Sequence, residues 1–119
     1  QSLVTEYDAR RGEVVSYSIS PEDVGLQVAE TGALAGGELE ENVRITLGIL
    51  NGEKGPRRDA VLFNAGAGIY AANGAESIAE GVAVAERAID AGRALESMEQ
   101  LVALTQELAA RAAQETVRA

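Results

Sequence analysis

The hydrophobic period of this chain changes once, near residue 38, and that change limits what it can fold into. Before residue 20, Val15, Tyr17 and Ile19 alternate with Ser16 and Ser18. A period of two sends one face of a strand toward a core and the other toward solvent. The runs 3 to 7 and 13 to 19 are rich in Val, Thr and Tyr, and "DARRG" between them carries the turn formers Asp and Gly, so 3–19 predicts a β-hairpin. Two strands alone are marginal, and this hairpin needs something to lean on. In the connector 20–37, "SPEDVGL" sets Ser20 as an N-cap, Pro21 at the first helical position and Gly25 as a stop, which gives one helical turn. Residues 26 to 37 show no sustained period and hold three Gly, so they read as irregular.

From Glu38 onward the spacing is three and four. A helix over about 38–51 carries Leu39, Val43, Leu47 and Leu50, widened by Ile45 and Ile49, and Asn51-Gly52 closes it. A second, 56–73, begins at Pro56 and carries Val61, Leu62, Ala65, Ile69 and Ala72 to Asn73-Gly74. It is apolar nearly all round, which predicts burial. A third, 77–91, starts at Ser77 with Glu80 as its capping-box partner and runs through Val82, Val84, Ala85 and Ile89. The fourth, 93–115, places Leu95, Met98, Val102, Thr105 and Leu108 on one face, and its Ala-rich tail is expected to fray.

Composition then removes whole classes of function. With 119 residues one domain is the default. A net charge of −9 gives the electrostatic term for nucleic-acid or anionic-membrane binding the wrong sign. The chain has no Cys and no His, so thiolate and imidazole chemistry are absent and any reaction must use carboxylates, hydroxyls, amides, Lys and Arg. No apolar run approaches the roughly 18 residues of a membrane span, and a cytoplasmic protein is the simplest expectation. Gln1 at the start, where Met is usual, is expected of a processed or trimmed chain or of a fragment.

Candidate sites are few. "GEKGPRRDAV" gathers Lys54, Arg57 and Arg58 around a Gly-Pro step, and these are the anion-binding candidates of the chain, since a helix N-terminus offers free N–H groups. The competing reading is an ordinary helix start, with Pro56 at the first position and Asp59 favouring the positive end of the dipole. Arg in a first turn opposes that dipole, and no phosphate-cradling glycine pattern precedes it, so the helix start is preferred. Glu38, Glu40 and Glu41 fan around a helix and read as a solvated first turn rather than a metal site. Asn64, in an apolar helix, is expected to be a buried amide bonded to a neighbouring backbone. Gly66 and Gly68 suit close helix packing better than a nucleotide fingerprint, and Tyr70 reads as core or rim.

The order of these pieces carries more than any one of them. A hairpin ending "GEVVSYSISPEDVGL", then "GEKGPRRDAVLFNA" and "AIDAGRALESMEQL", resembles the C-terminal part of anthranilate phosphoribosyltransferase over nearly the whole chain. Gly66 and Gly68 depart from the family, which usually carries Ala there. The resemblance implies part of an α/β domain: a hairpin followed by about four helices that cover a sheet. It also implies transfer of phosphoribosyl from phosphoribosyl pyrophosphate to the amine of anthranilate, in tryptophan biosynthesis, with Mg²⁺ escorting the pyrophosphate. The family dimerises through a separate helical domain. Its Gly-Thr-Gly-Gly-Asp loop, Lys-His-Gly-Asn segment and Asp-Glu pair lie upstream of the matching region, and none occurs here. No catalytic residue and no metal ligand carries over, and the missing N-terminal segment becomes an expected partner. Two other readings remain open: a catalytically empty relative serving as a binding or scaffold module, and an enzyme on a related fold such as a pyrimidine-nucleoside phosphorylase.

Overall fold

The computed structural model describes residues 1–118. Strands β1 (Ser2–Asp8) and β2 (Glu13–Ile19) pair antiparallel, with Val4 opposite Tyr17 and Glu6 opposite Val15. Asp8 shapes the turn between them: its Oδ1 accepts from the backbone N–H groups of Arg10 and Arg11 at 2.9 and 3.2 Å. The alternation works as predicted on one face, where Val4, Glu6, Val15, Tyr17 and Ile19 are half-buried. On the other face Leu3, Tyr7 and Val14 stand in solvent.

A 3₁₀ turn, Pro21–Val24, follows. The Asp23 carboxylate accepts from both the backbone N–H and the hydroxyl of Ser20, at 2.7 and 2.9 Å, and the backbone hydrogen bond, the larger effect, holds the Asp23 carboxyl below the usual carboxylate range. Four helices come next: α1 (Leu39–Leu50), α2 (Pro56–Ala71), α3 (Ile78–Asp90) and α4 (Arg93–Arg118). The fourth continues through the stretch expected to fray. At the start of α3 the Ser77 hydroxyl accepts from the Glu80 N–H at 3.1 Å, while the Glu80 carboxylate takes the Glu76 N–H rather than that of Ser77. Only half of the predicted reciprocal box therefore forms.

The core lies where α2, α3 and the 3₁₀ turn meet, and consists of Val24, Leu62, Ile78, Val82, Ala85 and Ile89. Two glycines decide how close the helices come. A Cβ on Gly66 would sit 2.6 Å from the Val82 backbone nitrogen, and one on Gly81 would strike the Gly66 carbonyl oxygen. Gly66 thus packs as its spacing implied, whereas Gly68 has open space around it.

Burial corrects three expectations. Helix α2 is not enclosed all round: Arg58, Leu62 and Gly66 are buried while Val61 is exposed, because α3 covers only one side. On α1 the predicted stripe splits: Leu39, Val43 and Leu47 are exposed, while Leu50 and the widening Ile45 and Ile49 are half-buried. Beyond Met98 the apolar side chains Leu101, Val102, Leu104 and Leu108 of α4 are exposed. The radius of gyration is accordingly 18.2 Å, well above the roughly 13–14 Å of a compact chain this long.

Candidate functional site

Gly55 opens α2 at φ 133°, a conformation that L side chains rarely adopt, and Pro56 follows at the first helical position. This entry points Arg58 into the fold, where 1% of it remains exposed. Its Nη2 donates to Asp90 Oδ1 at 2.7 Å and lies 3.6 Å from Glu86 Oε1, both on α3. Lys54 Nζ reaches the same two carboxylates at 3.4 and 3.5 Å. The Arg58 hydrogen bond, helped by the charges of Arg58 and Lys54, holds the Asp90 carboxyl below the usual carboxylate range. Arg57 turns the other way, and its Nη2 donates to the Ala35 carbonyl at 2.7 Å, which pins the connector to α2.

The candidates Lys54, Arg57 and Arg58 therefore stand together, and their resolved partners are protein groups. Two N–H groups among them are buried without an acceptor, Arg57 Nε and Arg58 Nη1. All three cations line a cleft of about 290 Å³ beside α1, and Arg44 lines it too. Asn64 lies elsewhere and is exposed, not buried; its Nδ2 donates to the Ala60 carbonyl of its own helix at 2.8 Å. Its position on the uncovered side of α2 explains the difference. Glu38, Glu40 and Glu41 are exposed, and among the described residues no three His, Cys, Asp or Glu side chains are grouped to hold a metal.

A second constellation was not foreseen. Glu6 sits on the inward face of β1 and accepts from Tyr70 at 2.7 Å and from Tyr17 at 3.1 Å. One carboxylate thus ties the hairpin to α2. The bond to Glu6 raises the Tyr70 phenol above its ordinary range; for Tyr17 burial is the larger cause and the same carboxylate the second. An acidic residue in phase with Val4 on the core side of a strand was the available signal. For Glu86 and Asp90 it was two carboxylates four apart, on one face of a predicted helix.

No helix among the described residues is long and apolar enough to cross a membrane. Anthranilate phosphoribosyltransferase from Thermomicrobium roseum is 45% identical over 88% of this chain and 31% of its own length. The enzyme of the same name from Desulfitobacterium hafniense is 49% identical over 77% of this chain and 27% of its own. The chain thus spans less than a third of these relatives. The crystal structure of anthranilate phosphoribosyltransferase from Thermus thermophilus superposes with a TM-score of 0.71 at 46% identity, over 74% of this chain and 27% of that one. The family model described as the a/b domain of the glycosyl transferase family matches residues 1–95, and with its hairpin-and-helix order this chain belongs to that family.

Proposed function

We propose that this chain works as part of an anthranilate phosphoribosyltransferase, which moves phosphoribosyl from phosphoribosyl pyrophosphate to the amine of anthranilate in tryptophan biosynthesis. The observation that carries the reading is the 45% and 49% identity to enzymes of that name, over 88% and 77% of this chain. The chain's own role is structural. Arg58 and Lys54 bind α2 to α3 through Glu86 and Asp90, and Glu6 binds the hairpin to α2. Such a transfer needs groups held rigidly around a cationic ribosyl centre, and a fixed scaffold supplies that rigidity. Mg²⁺ neutralises the departing pyrophosphate in this chemistry. The described residues offer no cluster for the ion, so no step here runs through it. In the same reading the intact enzyme is a cytoplasmic homodimer, joined through parts outside this chain.

The test is an assay of the full-length protein with anthranilate, phosphoribosyl pyrophosphate and Mg²⁺, following the loss of anthranilate fluorescence. Turnover is expected. Arg58→Ala should lower the melting temperature and leave the KM for phosphoribosyl pyrophosphate where it was. A folded full-length protein that leaves anthranilate unchanged would overturn the transferase reading and favour a scaffold module. A large rise in that KM at unchanged melting temperature would place Arg58 at the substrate.

A further inference from the structure

The chain holds two Asn-Gly pairs, Asn51-Gly52 at the end of α1 and Asn73-Gly74 at the end of α2. Such a pair can react with itself. The backbone nitrogen of the glycine, unshielded by a Cβ, attacks the asparagine Cγ; the new bond forms as the bond to the side-chain nitrogen breaks, and ammonia leaves. Water then opens the five-membered imide at either carbonyl, which yields aspartate or isoaspartate. No electron changes hands, and water is the one co-reactant. The attacking N–H must shed its proton first, so a hydrogen bond that holds it shields the pair.

Both glycine N–H groups are held, but in unequal places. At α1 the left-handed position belongs to Gly52, φ 93°, and Asn51 precedes it at φ −84°. The Gly52 N–H donates to the Ile49 carbonyl at 2.9 Å, and the Glu53 N–H, one residue further out, donates to that of Gly48 at 2.9 Å. The Asn51 amide is engaged as well, since its Nδ2 donates to the Leu47 carbonyl at 2.8 Å. At α2 the pair is shifted by one residue. Asn73 itself takes the left-handed position, φ 59°, alone among the described residues other than glycine. That conformation costs an L side chain free energy, although asparagine tolerates it better than most. The Gly74 N–H is then the outermost bond of the cap, to the Ile69 carbonyl at 2.8 Å. Asn73 and Gly74 are exposed, and the Asn73 amide has no hydrogen-bond partner among the described residues. Helices fray from their ends. Gly74 is therefore freed by losing one terminal bond, whereas Gly52 is freed only after Glu53 has let go.

We propose that Asn73-Gly74 is a site of spontaneous deamidation in the folded protein, and that Asn51-Gly52 is protected by its place one residue earlier in the same kind of cap. Conversion sets a new carboxylate at the C-terminal end of α2, where the helix dipole disfavours negative charge. Isoaspartate also lengthens the backbone of the short connection, residues 72 to 77, between α2 and α3. The converted chain therefore has a looser α2–α3 joint.

The experiment ages the intact protein in native, mildly alkaline buffer and follows both pairs by tryptic peptide mapping, with electron-transfer fragmentation to tell aspartate from isoaspartate. Asn51 lies in the peptide 45–54 and Asn73 in 59–87, where Asn64, followed by Ala65 within α2, is the internal control. Asn73 should convert at least about fivefold faster than Asn51, the scale of one retained hydrogen bond, and in urea the two rates should converge. The converted form, separated by anion exchange, should melt about 2–5 °C below the unconverted one. Asn73→Gly, which suits the left-handed position, should abolish the acidic form without loss of stability. Equal rates in the native protein, faster conversion at Asn51, or a native Asn73 that stays intact while the unfolded one converts overturns the site. Equal melting of the two forms overturns the loosening.

Discussion

The α2–α3 pair and the β-hairpin carry equally clear hydrophobic patterns and end in different states. On the helices Leu62, Val82, Ala85 and Ile89 are buried, and Gly66 and Gly81 let the backbones touch. On the hairpin the inward face is half-buried, the outward Leu3, Tyr7 and Val14 are bare, and a carboxylate between two phenols forms the polar link to α2. Apolar periodicity tells which face seeks cover. Whether cover arrives depends on a second surface that fits closely, and here α2, α3 and the 3₁₀ turn supply one to each other.

The contrast breaks most sharply at the glycines. Gly81→Ala puts a methyl against the Gly66 carbonyl, where backbone must move, and should destabilise by about 3 kcal/mol, as overpacked helix contacts do. Gly68→Ala, in open space on the same helix as Gly66, should be neutral or stabilise by up to about 1 kcal/mol through helix propensity. Urea unfolding followed by circular dichroism compares the two, and equal effects would dissolve the distinction between the covered and open sides of α2.

Next in size is Arg58→Ala, with about 2–3 kcal/mol expected. The figure stays at the lower end because the abandoned acids, Glu86 and Asp90, are 48% and 45% exposed and regain water. The same link has a pH signature. Asp90 has a folded pKa depressed below its unfolded value of roughly 3.9, so its contribution is fully present above that value and is lost as pH falls through the folded one. Stability measured from pH 6 down to pH 2 should decline less steeply in Asp90→Asn, and parallel curves would remove Asp90 from the link.

A smaller effect is expected of Glu6→Gln. It should speed amide exchange in β1 and β2 while leaving α3 unchanged, since the hairpin loses its charged anchor and the helix pair does not. Tyr17 and Tyr70 should then ionise at lower pH in an ultraviolet titration. Their raised phenols contribute stability that is complete below about pH 10 and fades as pH climbs through the folded values. Smallest of all, Val43→Lys on the exposed stripe of α1 should stay within about 0.5 kcal/mol, whereas a stripe packed as its periodicity implies would lose far more.

These cases also show how far the residues could be read before the fold was seen. The hairpin, the turn at Pro21 and the helix boundaries were legible because they depend on local chemistry: Gly55-Pro56 and Ser77 at starts, Asn73-Gly74 at an end. The fate of Leu39, Val43, Leu47 and Asn64 was not, because burial depends on what packs opposite and spacing records only the face. The cluster at Lys54, Arg57 and Arg58 was visible as a charge grouping. Its partners Glu86 and Asp90 lie 32 residues beyond Lys54 and Arg58 respectively. A contact across that separation leaves no periodic trace.

The most direct test of the contrast is native-state hydrogen exchange on the purified protein, resolved by residue. Amides around Leu62 and Val82 should exchange only with global unfolding, while those of Thr5 and Val15 should open at a distinctly lower free energy and independently of denaturant-driven unfolding. Hairpin amides protected to the same level as α2 and α3 would contradict the account, because the strands would then be as firmly built into the fold as the helix pair.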